Sequence, residues 1–225
     1  MIMRILKSDL LKLKRKWIWF LVFLGPFGVI GLQGVNYGLR YDWLVRPEYD
    51  LWNDLLINVN MLLPLTLMLG IAIISSMTAS VEHQQNAWKQ VLALPVTKFS
   101  VFTSKFVMNL LLLAISCLLV LIGTIILGLI LKFGMDIPIK DISKNSFYPL
   151  FAALPILALQ TWLSITMKNQ SLPLTTGILL ALLSMYIPLL LSEGYEPIMF
   201  VQIGVGMGML LFLLGAIDFM KRDVK

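Results

Sequence analysis

Six stretches of this chain carry no Asp, Glu, Lys, Arg or His: Trp17 to Leu39, Leu55 to Val81, Phe106 to Leu131, Asn145 to Met167, Asn169 to Ser192 and Pro197 to Ile217. Each meets the requirement of about 20 residues for a helix to cross a hydrocarbon core of roughly 30 Å. A soluble domain cannot cover so much apolar sequence, and 59% of the 225 residues are hydrophobic against 13% charged. The expected fold is all-α. It is a polytopic membrane protein with six transmembrane helices within residues 17–220, preceded by an amphipathic interface helix over residues 1–16.

The net charge of +6 is a topology signal rather than a sign of nucleic-acid binding. If the six runs cross a membrane, thirteen of the eighteen Lys and Arg residues fall on one side. They cluster before the first run, around Lys89, Lys98 and Lys105, at Lys168, and after the last run. By the positive-inside rule this side is cytoplasmic, so both termini are expected inside a multi-pass protein of the cell membrane. No partner for Cys117 exists in the chain, which excludes an intrachain disulfide.

Residues 1–16 place Met3, Leu6, Leu10 and Leu13 on one helical stripe that continues to Trp17, with Arg4, Lys7, Lys12, Lys14 and Lys16 elsewhere. The stripe fits a lipid-facing anchor held by anionic headgroups, at about 1 kcal/mol per basic residue. It equally fits an interface helix that touches a cytoplasmic subunit. Gly25, Gly28, Gly31 and Gly34 recur at three-residue intervals in the first run, and Gly204 and Gly208 form a GxxxG in the last. Small residues let helices approach closely in lipid.

Between the second and third runs lies a polar, helix-capable stretch, Ser80 to Phe99. A helix over about 82–94 is expected to stop before Pro95, which disfavours helical geometry in its predecessor and donates no ladder bond. Within it Trp88 and Leu92 are i, i+4 neighbours, while Glu82, His83, Asn86 and Lys89 present polar groups. Such a helix is too polar to span a membrane and too apolar to be a solvated linker.

Here the sequence resembles the membrane subunits of ABC-2 type ABC transporters. In that family the cytoplasmic connection after the second span runs from a glutamate through polar residues and a hydrophobic helix to a Leu-x-x-Pro-Val-x-Arg/Lys close. The matching positions are Glu82, Leu92, Pro95, Val96 and Lys98, and the variant Glu82, His83, Gln84, Asn86, Trp88, Lys89, Gln90 is similar to lantibiotic-immunity and bacitracin-resistance permeases. The resemblance implies a non-catalytic permease subunit of an exporter, with a separate ABC ATPase as partner and a second permease copy or related permease beside it. It implies an antimicrobial peptide or similar amphiphile as substrate. The docking residues would be Glu82, His83, Asn86, Trp88, Lys89, Leu92 and Pro95, with Leu6, Leu10 and Leu13 on the interface helix. The family also places re-entrant helices between its fifth and sixth spans, whereas only Glu193 to Glu196 separates the two runs here.

The residue inventory agrees with a non-catalytic role. Gradient-driven carriers need ionisable groups near the midplane, and the six runs have none. With one histidine in the whole chain, a membrane-embedded metal or protease site cannot be assembled. No G-x-x-x-x-G-K-[ST] loop is present, so ATP and Mg are expected on the partner, with no cofactor or metal in this chain. Asn36, Asn60, Asn109, Gln160 and Gln202 are candidates for lining a translocation path, or for interhelical hydrogen bonds. The alternative function is a scaffold or sensor subunit that docks a different cytoplasmic partner.

Overall fold

In lipid an unpartnered backbone N–H or C=O is costly, so long apolar runs resolve into helices. The computed structural model describes residues 6, 9–10, 17–46, 50–84, 97–185 and 197–222, the side chains of Glu82 and Gln84 excepted, and every regular element among them is helical. The helices are α1 (Ile18–Leu39), the single-turn α2 (Tyr41–Leu44), α3 (Leu51–Gln84), α4 (Lys98–Ile130), α5 (Ile139–Ala152), α6 (Leu154–Thr166), α7 (Ser171–Ser184) and α8 (Pro197–Lys221).

Four of these, α1, α3, α4 and α8, are long and apolar enough to cross a membrane, and α5 with α6 passes the same test as one bent pair. Among the described residues there are thus four candidate spans, or five with that pair, where six were expected over the whole chain. The missing length lies in the run 169–192. Its described part is α7, of 14 residues, or about 21 Å, and residues 186–192 lie outside the described set.

The fourth run, expected as one continuous span over residues 145–167, breaks at Ala153, where α5 and α6 meet at 44°. Pro155 is the cause, because it has no N–H to offer the carbonyl of Phe151 one turn earlier. The backbone at the break is covered by Gly204 and Gly208 of the last run. A Cβ at Gly204 would stand 2.5 Å from the Phe151 carbonyl, and one at Gly208 would stand 2.7 Å from the Leu154 Cβ. The GxxxG pair thus serves contact within the chain. In the first run, Gly25 and Gly34 face Thr66 and Leu127, whereas Gly28 and Gly31 have open space where a side chain would stand.

Two helices outrun their apolar segments. With 34 and 33 residues, α3 and α4 are each about 50 Å long, and both extend past the apolar limits Val81 and Phe106 at the end that carries residues 85–96. Glu82, His83 and Gln84, at the start of the expected docking helix, are helical in continuity with α3, and the rest of that expected helix lies outside the described residues. Thr97 caps α4, its side chain accepting from the Ser100 N–H at 3.2 Å.

The core is built where these helices cross. Ile71 of α3, Met108 and Leu112 of α4, and Leu157 of α6 are fully buried at its centre, together with Ile18 and Val22 of α1. At the opposite end Trp52 is only 6% exposed. Its ring fills the space left by Gly128, where a Cβ would collide with it, and meets Phe133 edge-on at 5.8 Å. The segment that links the first two apolar runs, residues 40–54, is itself largely helical, since α2 and the start of α3 occupy much of it. Large apolar side chains such as Phe20, Phe27 and Leu32 on α1 and Met209 and Leu210 on α8 face outward, as a lipid-facing surface requires.

Candidate functional site

Polar side chains gather at the end of the bundle where α3 finishes and α4 begins. Asn109 of α4 is 1% exposed. It accepts from Thr78 Oγ1 of α3 at 3.0 Å and donates to Thr161 Oγ1 of α6 at 3.2 Å and to Ser75 Oγ of α3 at 3.4 Å. One amide therefore ties three helices together through hydroxyls that are themselves buried. In an apolar surrounding those groups need partners, and this network supplies them.

The helix ends next to it are satisfied in the same way. The last carbonyls of a helix have no intrahelical donor. The Ser164 carbonyl near the end of α6 lies 3.1 Å from His83 Nε2 and accepts from Gln170 Nε2 at 3.0 Å. His83 thus fastens the end of α3 to α6 when Nε2 carries the proton. Gln170 Oε1 in turn accepts from Ser76 Oγ of α3 at 3.2 Å. The Lys98 ammonium donates to the Met220 and Arg222 carbonyls at 3.2 and 2.6 Å, a cation placed at the negative end of α8. Asp218 of α8 accepts from Trp162 Nε1 of α6 at 2.9 Å and from Arg222 Nε at 2.7 Å.

The N-terminal segment joins the same end. Lys105 Nζ on α4 lies 3.1 Å from Asp9 Oδ2, and both side chains are almost wholly buried. Leu6 and Leu10 on either side of Asp9 pack against the core cluster that contains Met108.

The predicted path residues differ in burial. Asn109 and Gln160 are interior. Gln160 is fully buried; with its amide in the orientation that satisfies both ends, the nitrogen donates to the Pro173 carbonyl at 3.0 Å and the oxygen accepts from the Gly177 N–H at 2.9 Å, which ties α6 to α7. Asn36 is half-buried and donates to Gln33 Oε1 at 3.3 Å. Asn60 and Gln202 stand on exposed faces of α3 and α8. Of the predicted docking residues, only His83 has a described side chain. Glu82 is described as helical backbone, and Asn86, Trp88, Lys89, Leu92 and Pro95 lie outside the described residues. Leu13 of the interface stripe also lies outside them.

A small cavity of about 30 Å³ opens among α1, α3 and α4, lined by apolar side chains with Pro26, Ser116 and Cys117. That volume holds a water or two and no peptide. Among the described residues no three His, Cys, Asp or Glu side chains form a group that could hold a metal.

A description of an ABC-2 family transporter protein matches residues 5–185, most of the chain and all of the helix ends described above except those of α8. The chain belongs to the ABC-2 transporter family. No curated protein and no solved structure matches it. As a member of that family it is a multi-pass membrane component of an ABC transporter, and the polar end of its bundle is the end that carries the connection between α3 and α4.

Three features of this ABC-2 protein escaped the sequence reading: the Asp9–Lys105 pair, the Lys98 cap and the Trp162–Asp218 bond. One of them carried a signal. Asp9 is the sole acid among six basic residues in the first sixteen, an anomaly that a purely lipid-bound helix does not explain.

Proposed function

We propose that this chain is the permease subunit of an ATP-driven exporter, and that residues 80–99 dock a separate ATPase which binds the ATP and Mg. The observation that supports this reading is the length of α3 and α4, which outrun the apolar segments and carry residues 85–96 beyond them. Trp88 and Leu92 form the apolar knob that seats in a groove of the ATPase, while Glu82 and Lys89 set its orientation at the rim. Force that enters there reaches the bundle through α3 and α4, whose inner ends are joined by Asn109 and Thr78.

Both termini and residues 80–99 face the cytoplasm, and the protein sits in the cell membrane. The translocation path runs between two membrane subunits, this chain with a second copy or a related permease. Asn60 and Gln202 are favoured over Asn109 and Gln160 as path-lining groups, because they stand on outward faces. The substrate class, an antimicrobial peptide or similar amphiphile, rests on the likeness of Glu82 to Gln90 to lantibiotic-immunity and bacitracin-resistance permeases.

Two experiments test this reading. Affinity purification from native membranes, followed by identification of every subunit, should recover an ATPase and a second membrane subunit; recovery of only non-ATPase partners favours a scaffold or sensor. Deleting the gene should sensitise the cell to antimicrobial peptides of that class, and unchanged resistance would remove the substrate assignment.

A further inference from the structure

We propose that Asp9 and Lys105 are the lock that seats the N-terminal segment on the helical bundle, so that this segment is held by protein and not by lipid headgroups. The two charges lie 3.1 Å apart with side-chain exposures of only 5% and 6%. They come from opposite sides of the docking stretch, Asp9 before α1 and Lys105 in the second turn of α4. The apolar residues beside them complete the seat, since Leu6 and Leu10 pack on the cluster formed by Ile18, Val22 and Met108. Seven residues before Lys105, on the same side of α4, Lys98 holds the end of α8. The first two turns of α4 therefore hold both Asp9 and the end of α8.

The two ways of holding this segment differ in their response to salt and lipid. Attraction between the six basic residues of positions 1–16 and anionic headgroups is screened by salt and vanishes on a neutral bilayer. A buried ion pair is screened far less and needs no charged lipid.

The test uses the full-length chain in nanodiscs of neutral phosphatidylcholine, digested with trypsin and followed by mass spectrometry. Lys7 and Lys12 bracket Asp9 and provide the cleavage sites. The intact protein should be cut slowly there, with no change in about 1 M salt, where the Debye length falls to about 3 Å. Asp9→Asn and Lys105→Met should each speed cleavage by on the order of tenfold or more, because either removes the buried ion pair and raises the open population that the protease samples. Lys105→Arg and the reversed pair Asp9→Lys with Lys105→Asp should restore slow cleavage. Circular dichroism reports whether each variant keeps its helices, and the salt and lipid arms on the intact chain stand regardless of the variants. Protection that appears only with anionic lipid and is lost in salt would overturn the lock. So would a reversed pair cut as fast as the single variants while retaining full helicity.

Discussion

The carbonyl of Phe151 rests against Gly204, so close that a Cβ on the glycine would stand 2.5 Å from it. The broken span and the last helix are therefore closely fitted at this point, and the fit is steric. Gly204→Ala is expected to destabilise the bundle by about 1–3 kcal/mol, the usual range for forcing an extra methyl into a packed contact. Gly208→Ala should cost a similar amount, since its methyl would stand 2.7 Å from the Leu154 Cβ, which is fixed to the backbone, and close to the Leu154 and Pro155 backbone beyond it. Gly206→Ala meets nothing within 4 Å and should be neutral or slightly stabilising through helix propensity. Thermal unfolding of the three variants in one detergent checks the order.

Asn109 joins α3, α4 and α6 through one side chain. Interhelical hydrogen bonds in membrane proteins average about 0.6 kcal/mol with a maximum near 1.7, so Asn109→Ala, which breaks several at once, should cost about 1–2 kcal/mol. Asn60→Ala, on an exposed face, should leave stability unchanged. Transport is expected to respond in the opposite sense, with Asn60→Ala the more damaging relative to its effect on folding. Equal loss of transport per unit of lost stability in both variants would remove Asn60 from the path.

Trp162 donates to Asp218, which also accepts from Arg222. Asp218 is partly exposed, so its pair with Arg222 is worth about 1 kcal/mol at most, and salt should weaken it. The bond from the indole should matter more because it crosses from α6 to α8. Trp162→Phe is expected to loosen the α8 terminus more than Arg222→Gln does, and hydrogen exchange over residues 215–222 measures the difference.

How far the sequence reveals this structure depends on the range of the physics involved. The existence of the long helices is legible because crossing lipid needs about 20 apolar residues and nothing else in the chain competes. Helix ends are less legible: hydropathy marks where a segment leaves lipid, not where its hydrogen-bond ladder stops, so α3 and α4 continue through His83 and back to Lys98. The break at Ala153 was within reach, since Pro155 sits in the middle of its run. Burial of Asn109 and Gln160 was not. Both look like Asn60 and Gln202 in sequence, and only the positions of Thr78, Thr161 and Gly177 on other helices distinguish them. The Asp9–Lys105 pair is likewise a meeting of residues far apart in the chain.

The central functional claim is that residues 80–99 dock an ATPase, and Trp88 is its most exposed point of failure. The direct measurement is the amount of ATPase that co-purifies with wild-type, Trp88→Ala and Glu82→Lys chains from the same membranes, together with the ATP hydrolysis of each recovered complex. Wild-type chains should bring down the ATPase. Trp88→Ala should lose most of it, since an apolar anchor at the centre of an interface commonly carries 2 kcal/mol or more, about thirtyfold in affinity, and Glu82→Lys should weaken it less. Full recovery of an equally active ATPase with both variants would contradict the docking role.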